Sequence, residues 1–278
     1  MTIADFFRLP VPPHQPFLRP FIKMQGLRNH FVFLDQRHGG PALAKAEIIR
    51  ICDVHEGVGA DQVITICPPR PEAAAQGAYV FMGIYDIDGT EAEACGNATR
   101  CMAHLLFDET GRTDMLIDSL GGLLHCRKTG DTAVSVTLGP ITVTDAHLPL
   151  ASGPLKNGIA LNIGNPHAVF FVDREVEIPA FAPTIARDPL FPNSVNVGVA
   201  QVVDEATLKL AVWERPGILT EACGTGACVA AFAARLRGLV RTDDVTVHLP
   251  GGPLLIRLLD DGRAIMTGPA AFCCAGYV

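Results

Sequence analysis

One tetrapeptide occurs twice in this chain of 278 residues: Glu93-Ala94-Cys95-Gly96 returns as Glu221-Ala222-Cys223-Gly224. Two further segments recur around it in the same order. Val58-Gly59-Ala60-Asp61-Gln62-Val63 matches Val197-Gly198-Val199-Ala200-Gln201-Val202. Gly121-Gly122-Leu123-Leu124, leading through Arg127 to Gly139-Pro140, matches Gly251-Gly252-Pro253-Leu254-Leu255, leading through Arg257 to Gly268-Pro269. The tetrapeptide pair and the Gly-Gly pair lie about 130 residues apart, and the Val58 pair roughly ten more, which a loop insertion accounts for. Three matches in one order imply two homologous halves, a different architecture from a solenoid of short repeats. The chain must therefore fold as one kind of lobe built twice.

Each half mixes strand and helix signals. Phe31–Leu34, Val63–Ile66 and Tyr79–Tyr85 read as strands in the first, and Ala168–Val172, Leu208–Trp213 and Val245–Leu249 in the second. Asp86-Ile87-Asp88-Gly89 is a turn signal. Asn97–Phe107, followed by Gly111, and Thr225–Leu236, followed by Gly238, read as helices. Both are rich in small residues and poor in charge, so both should be buried. The expected class is α+β, with two pseudo-symmetric lobes, each a curved mixed sheet wrapped around a central helix. The expected division is residues 1–139 with 267–278 for the first lobe and 140–266 for the second.

With 49% hydrophobic and 18% charged residues, the chain can bury a large core. Its net charge of -7 and scattered basic residues give no reason to expect nucleic acid or an anionic membrane as partner. No apolar run is long enough to span a bilayer. The first twenty residues hold Pro10, Pro12, Pro13, Pro16 and Pro20 and lack the parts of a signal peptide, so they read as a partly ordered leader of a cytoplasmic protein. Nine cysteines, an odd number, argue against a complete disulfide framework. The spacings Cys95–Cys101 and Cys223–Cys228 do not fit a zinc pattern, and no dinucleotide or P-loop signature is present. Cys52, Cys67, Cys126, Cys273 and Cys274 read as small buried apolar residues, with Cys101 and Cys228 facing inward from their helices.

Cys95 and Cys223 differ, because each opens a helix and is followed by glycine. A free thiol has a pKa of about 8.5, and a helix N-terminus, carrying roughly +0.5 charge, lowers it. The same unpaired N–H groups can hold a carboxylate, and the glycine lets it approach the backbone. Two such sites facing one substrate would clamp its carboxylate and flank its α-carbon with two sulfurs. One thiolate could then remove the α-proton while the opposite thiol supplies a proton to the other face.

These residues carry a family resemblance. From about Phe21 to the C-terminus the chain resembles the diaminopimelate epimerases. The match includes Phe21–Asn29, Gly57–Gln62, Asp88-Gly89-Thr90-Glu91, both Cys-Gly motifs, Gly164-Asn165-Pro166-His167, Asn196-Val197-Gly198 and Trp213-Glu214-Arg215. The resemblance implies a metal-free and cofactor-free enzyme acting on a small amino acid, with Cys95 and Cys223 as acid/base pair. It implies that Gly96-Asn97 and Gly224-Thr225 hold the reacting carboxylate. It implies that Asn29, Gln62, Asp86, Asn165, Asn196, Glu214 and Arg215 line the pocket, and that His167 and Glu214 help set thiol protonation. A homodimer is compatible with it. Without it, His167 would read as a structural hydrogen-bonding residue and the three asparagines as turn or cap residues.

Asp86 stands where the family has asparagine, His30 where it has aspartate, and Pro216 where it has glycine. A carboxylate only accepts, whereas an amide also donates. Asp86 would favour a substrate ammonium over a substrate carboxylate. The far end of the substrate therefore stays open to a related racemase of another amino acid. A non-catalytic amino-acid-binding protein is the weaker reading, since binding alone needs no thiol pair.

Overall fold

Apolar residues alternating with polar ones put strands in both halves, and the alternation survives in the burial of Leu208, Leu210 and Val212 around exposed Lys209. The computed structural model describes every residue except Met1, Pro12, Pro13, Gln15, Pro16, Phe17 and Pro216. The leader's Pro12, Pro13 and Pro16, and the altered position Pro216, thus lie outside the described residues. The chain divides into two compact units, Met1–Val136 with Gly268–Val278 and Thr137–Thr267.

In chain order the first unit carries β1 (Pro20–Gly26), β2 (Asn29–Asp35), α1 (Lys45–Cys52), β3 (Gln62–Cys67), α2 (Pro71–Ala74), β4 (Ala78–Asp86), α3 (Gly96–Thr110), β5 (Asp114–Ser119), β6 (Gly122–Lys128) and β7 (Ala133–Leu138). The second carries β8 (Thr142–Leu148), β9 (Gly158–Asn162), β10 (Pro166–Phe171), α4 (Ile178–Ala186), β11 (Asn196–Asp204), β12 (Thr207–Glu214), β13 (Ile218–Thr220), α5 (Gly224–Leu236), β14 (Asp244–Leu249), β15 (Gly252–Leu258) and β16 (Ala264–Pro269). The last strand, β17 (Ala271–Tyr277), returns to the first unit and pairs with β1.

Pairing order shows the duplication directly. The first unit runs β17-β1-β2-β3-β4-β5-β6-β7, parallel only at β2/β3 and β4/β5. The second runs β8-β9-β10-β11-β12-β14-β15-β16, parallel only at β10/β11 and β12/β14. The orientations agree step for step, and β13, which hairpins back onto β12, answers to the shorter Tyr85–Glu91 bridge beside β4 in the first unit. The fold is α+β with two lobes.

Each lobe packs its sheet around one small-residue helix. α3 touches β1, β2, β5 and β6, and α5 touches β9 to β12, β14 and β15. The residues of α3 from Gly96 to Ala103 are all buried, and so are Ala227 to Ala231 of α5. Gly and Ala at these positions let strands approach the helix backbone. The first lobe has a second apolar layer, in which Val32 and Leu34 pack with Ile48 and Ile51 of α1. That explains why β2 is buried on both faces at Phe31–Leu34. Each such fully buried side chain contributes about 1.5–3 kcal/mol of hydrophobic free energy.

α3 runs to Thr110, three residues past the expected end. Its last turn is held by Ile3 N–H donating to Asp108 Oδ2 at 2.6 Å and Arg37 Nη1 donating to Glu109 Oε2 at 2.8 Å. Gly111, at φ +71, then turns the chain out in the left-handed conformation that favours glycine. Part of the leader is helical: Ile3–Arg8 forms a 3-10 turn whose Phe6 ring stacks on Phe272 with centroids 5.9 Å apart. The expectation of buried Cys273 and Cys274 fails. Both are exposed on β17, one edge of which pairs with β1. Among the described residues no helix is long and apolar enough to cross a membrane.

Candidate active site

Cys95 and Cys223 are the N-caps of α3 and α5. Their backbones are alike, at φ -146, ψ 105 and φ -122, ψ 105. In each case the N-cap carbonyl accepts the first helical hydrogen bond, from Thr99 N–H at 2.9 Å and from Ala227 N–H at 3.0 Å. The amides ahead of these bonds, Gly96-Asn97 and Gly224-Thr225, are the ones a helix leaves for a cap or an anion.

Strand register assembles the other residues around each thiol-bearing start. In the first lobe Phe31 pairs with Gln62, and Gln62 with Asp86, so Asn29, Gln62 and Asp86 share one end of the sheet. Asn29 Nδ2 donates to Asp61 Oδ2 at 2.9 Å, which also accepts from His30 N–H at 2.6 Å. Asn97 Nδ2 donates to Asn29 Oδ1 at 3.3 Å, tying the helix start to β2. Gln62 Nε2 donates to Asp86 Oδ1 at 2.7 Å. In the second lobe His167 pairs with Asn196, and the Val197–Trp213 pair sets Glu214 beside Asn196 in the same way. Gln62 and Asp86 are thus the topological counterparts of Asn196 and Glu214. Asn196 Oδ1 accepts from Arg215 N–H at 3.0 Å, and its Nδ2 donates to the Pro166 carbonyl at 3.1 Å.

Asp61, Arg100 and Thr220 belong to these networks and were not singled out from the sequence. Asp61 sits inside the Val58–Val63 segment, but Ala200 stands at its place in the second copy, so the recurrence carries no signal for it. Thr220 Oγ1 donates to Glu214 Oε1 at 2.8 Å. That partnership depends on β13, whose counterpart in the first half, Thr90-Glu91-Ala92 ahead of Glu93, has alanine where Thr220 stands.

Cys223 departs from the expectation of a lowered thiol pKa. Gly226 N–H does donate to its sulfur at 3.4 Å, and Thr225 Oγ1 lies 3.6 Å away. Both favour the thiolate. Burial outweighs them, and the Glu214 carboxylate, which accepts a hydrogen bond from the thiol, adds to it, so the pKa is raised well above the ordinary range. Cys223 therefore rests protonated. The structural cysteines behave likewise, burial pushing Cys52 to about 11 and Cys101 to about 12.

The second copy of the motif has Gly226 where the first has Ala98. A Cβ at Gly226 would stand 2.9 Å from Val212 Cγ2 and 3.1 Å from the Cys223 sulfur. Glycine here keeps the thiol in place. Gly226→Ala should keep a folded protein, since alanine favours helix, yet lower kcat roughly tenfold to a hundredfold by displacing the sulfur. Steady-state kinetics beside a circular-dichroism spectrum checks this.

His167 is fully buried. Asn165 Nδ2 donates to Thr225 Oγ1 at 3.4 Å, which turns Asn165 Oδ1 toward His167 Nε2 at 3.0 Å. The ring proton therefore sits on Nε2 and leaves Nδ1 as a buried acceptor with no partner in the fold. Burial, helped by the Arg215 charge, lowers the His167 pKa to about 3. An unfolded histidine takes up a proton below about pH 6.5, and the folded one only near pH 3. The unfolded state binds the extra proton in that window, so stability falls as pH drops through it. The loss should reach about 2 kcal/mol at pH 5. His167→Gln should flatten the fall of the urea midpoint between pH 7 and 5.

Solved structures share this two-lobed α+β architecture. A hydroxyproline epimerase from Agrobacterium vitis superposes with a TM-score of 0.68 at 13% identity, covering 94% of this chain and 92% of its own. A PhzF-family phenazine biosynthesis protein from Bacillus anthracis gives 0.68 at 13% identity, covering 94% and 99%. The sequence narrows this further. The family model for diaminopimelate epimerase matches residues 21–144 and 159–273. A diaminopimelate epimerase of Rhodospirillum centenum is 40% identical over 93% of this chain and 92% of its own, and that of Acidiphilium cryptum 41% over 93% and 95%. The chain belongs to the diaminopimelate epimerase family.

Proposed function

We infer that this protein is a cofactor-independent isomerase that inverts one α-carbon of LL-diaminopimelate to give the meso isomer, with Cys95 and Cys223 as its acid/base pair. The observation that carries the assignment of the pair is the repeated N-cap: a thiol followed by glycine at the start of a buried helix, twice in closely similar backbone conformation.

The amides of Gly96-Asn97 and Gly224-Thr225 bind the reacting carboxylate. They stabilise the enediolate charge that develops as the α-proton leaves. One sulfur takes that proton as thiolate, and the other gives its proton to the opposite face. The protonated state of Cys223 suits it to the donor role in one direction, and Glu214 receives its proton when the direction reverses. The unpartnered Nδ1 of His167 supports a second proton-handling role. Asn29, Gln62, Asp86, Asn165, Asn196 and Arg215 orient the substrate, Arg215 by a bidentate pair with its far carboxylate. Nine free thiols support a reducing, cytoplasmic setting.

In deuterium oxide the reduced protein should place deuterium at the α-carbon of LL- and of meso-diaminopimelate, read by mass spectrometry. A folded, reduced sample that exchanges neither isomer rules the activity out.

A further inference from the structure

β13 folds back over the end of β12, so that Glu214 pairs with Ile218, Trp213 with Leu219 and Val212 with Thr220. Side chains alternate across a strand, so Val212 and Glu214 share the face that carries buried Leu208 and Leu210. Thr220, opposite Val212, points to that face as well. The same face meets the start of α5, where Gly226 packs on Val212 beside the Cys223 sulfur. Thr220 Oγ1 donates to Glu214 Oε1 at 2.8 Å, and the Cys223 thiol donates to the same carboxylate. A hydroxyl has one proton to give. Given to Glu214, it meets the ionised, acceptor-only form of that group and fixes its orientation. Threonine suits the task, because its branched Cβ restricts χ1 and keeps the hydroxyl aimed. The first lobe has Ala92 at this place and no hydroxyl, so the brace belongs to the Cys223 side alone.

We propose that Thr220 is a positioning residue for proton transfer at Cys223, its hydroxyl holding the Glu214 carboxylate against the thiol. This rests on the proposed activity and deepens it. In the step it serves, the S–H bond breaks with its electrons left on sulfur, and an O–H bond forms on Glu214. A carboxylate free to turn away would leave the thiol proton without a fixed acceptor. Thr220 acts through Glu214 and not on the reacting carbon.

Two variants separate the hydroxyl from the packing. Thr220→Val keeps the shape and the strand propensity and removes the hydroxyl, whereas Thr220→Ser keeps the hydroxyl and removes the methyl. Thr220→Val should lower kcat about tenfold, the scale of one hydrogen bond to a charged group, and leave KM within about twofold. Thr220→Ser should keep kcat within about threefold of wild type. A merely structural role predicts the opposite order, since valine retains the packing that serine loses. Wild-type kcat in Thr220→Val, or a serine variant as slow as the valine one, overturns the assignment. A second readout needs no substrate. Freeing Glu214 removes one of the groups that hold Cys223 protonated, so iodoacetamide should label Cys223 of Thr220→Val about threefold faster or more, with Cys95 unchanged. Unchanged labelling of Cys223 overturns the brace. Deuterium exchange by wild type, measured in parallel, reports on the activity itself, and if it fails the labelling still decides the role of Thr220.

Discussion

Cys95→Ser and Cys223→Ser are each expected to lower the rate of epimerisation by roughly 10²–10⁴-fold, the range of general acid–base catalysis. Serine keeps the size and the helix-start position of the side chain. What it loses is an acid whose pKa lies within reach of neutral pH. Both changes should be severe, because inversion needs a proton removed on one face and delivered on the other. The two thiols should nevertheless differ in reactivity. Cys95 is partly exposed, whereas Cys223 is buried, hydrogen-bonded to Glu214 and held protonated. Iodoacetamide near pH 7 should therefore label Cys95 well before Cys223, as peptide mapping will record. Near-wild-type epimerisation by either serine variant would reject the two-thiol assignment, and faster labelling of Cys223 would reject the asymmetry.

That asymmetry marks the boundary of what was legible in the amino-acid sequence. The Glu-Ala-Cys-Gly repeat located both helix starts to within one residue, because a cap is a local event governed by the next four amides. The Gly-Gly recurrence located matching strands, but the Val58–Val197 match was five residues out of register, since β3 begins at Gln62 and β11 at Asn196. The proton state of Cys223 was not local. It depends on how deeply α5 is buried and on the end of β12 bringing Glu214 to the sulfur. A helix-start argument alone gave the wrong direction. The exposure of Cys273 and Cys274 was likewise set by which strand edge β17 occupies. Asp86 was read as a departure from the family pattern. Its hydrogen bond from Gln62 needed the strand register that sets the two side by side.

Arg100 was the clearest signal passed over. It is the only charged residue of α3 before Asp108, and it stands in a run of small and apolar residues, yet it is fully buried. Its Nη1 donates to Asn97 Oδ1 at 2.8 Å and its Nε to the Pro269 carbonyl at 3.3 Å. Through Asn97 it supports Asn29 and, beyond that, Asp61. Gly26 leaves room for it, since a Cβ there would come within 3.1 Å of Nη2. Arg100→Met preserves the length and removes the donors, stranding the buried Asn97 Oδ1 and releasing the partly buried Pro269 carbonyl. A stranded acceptor costs about 1–3 kcal/mol. Against this stands the relief of no longer desolvating a guanidinium, which offsets part of the loss. The net expectation is a destabilisation of about 2 kcal/mol in urea unfolding. A raised KM should accompany it, because Asn97 would no longer be held at the helix start proposed to bind the carboxylate. Arg100→Lys keeps the charge but cannot reach both acceptors, so it should fall between the two. A loss below about 1 kcal/mol for Arg100→Met would mean that desolvation cancels the hydrogen bonds. The buried charge would then serve the position of Asn97 alone, and KM would move while stability did not.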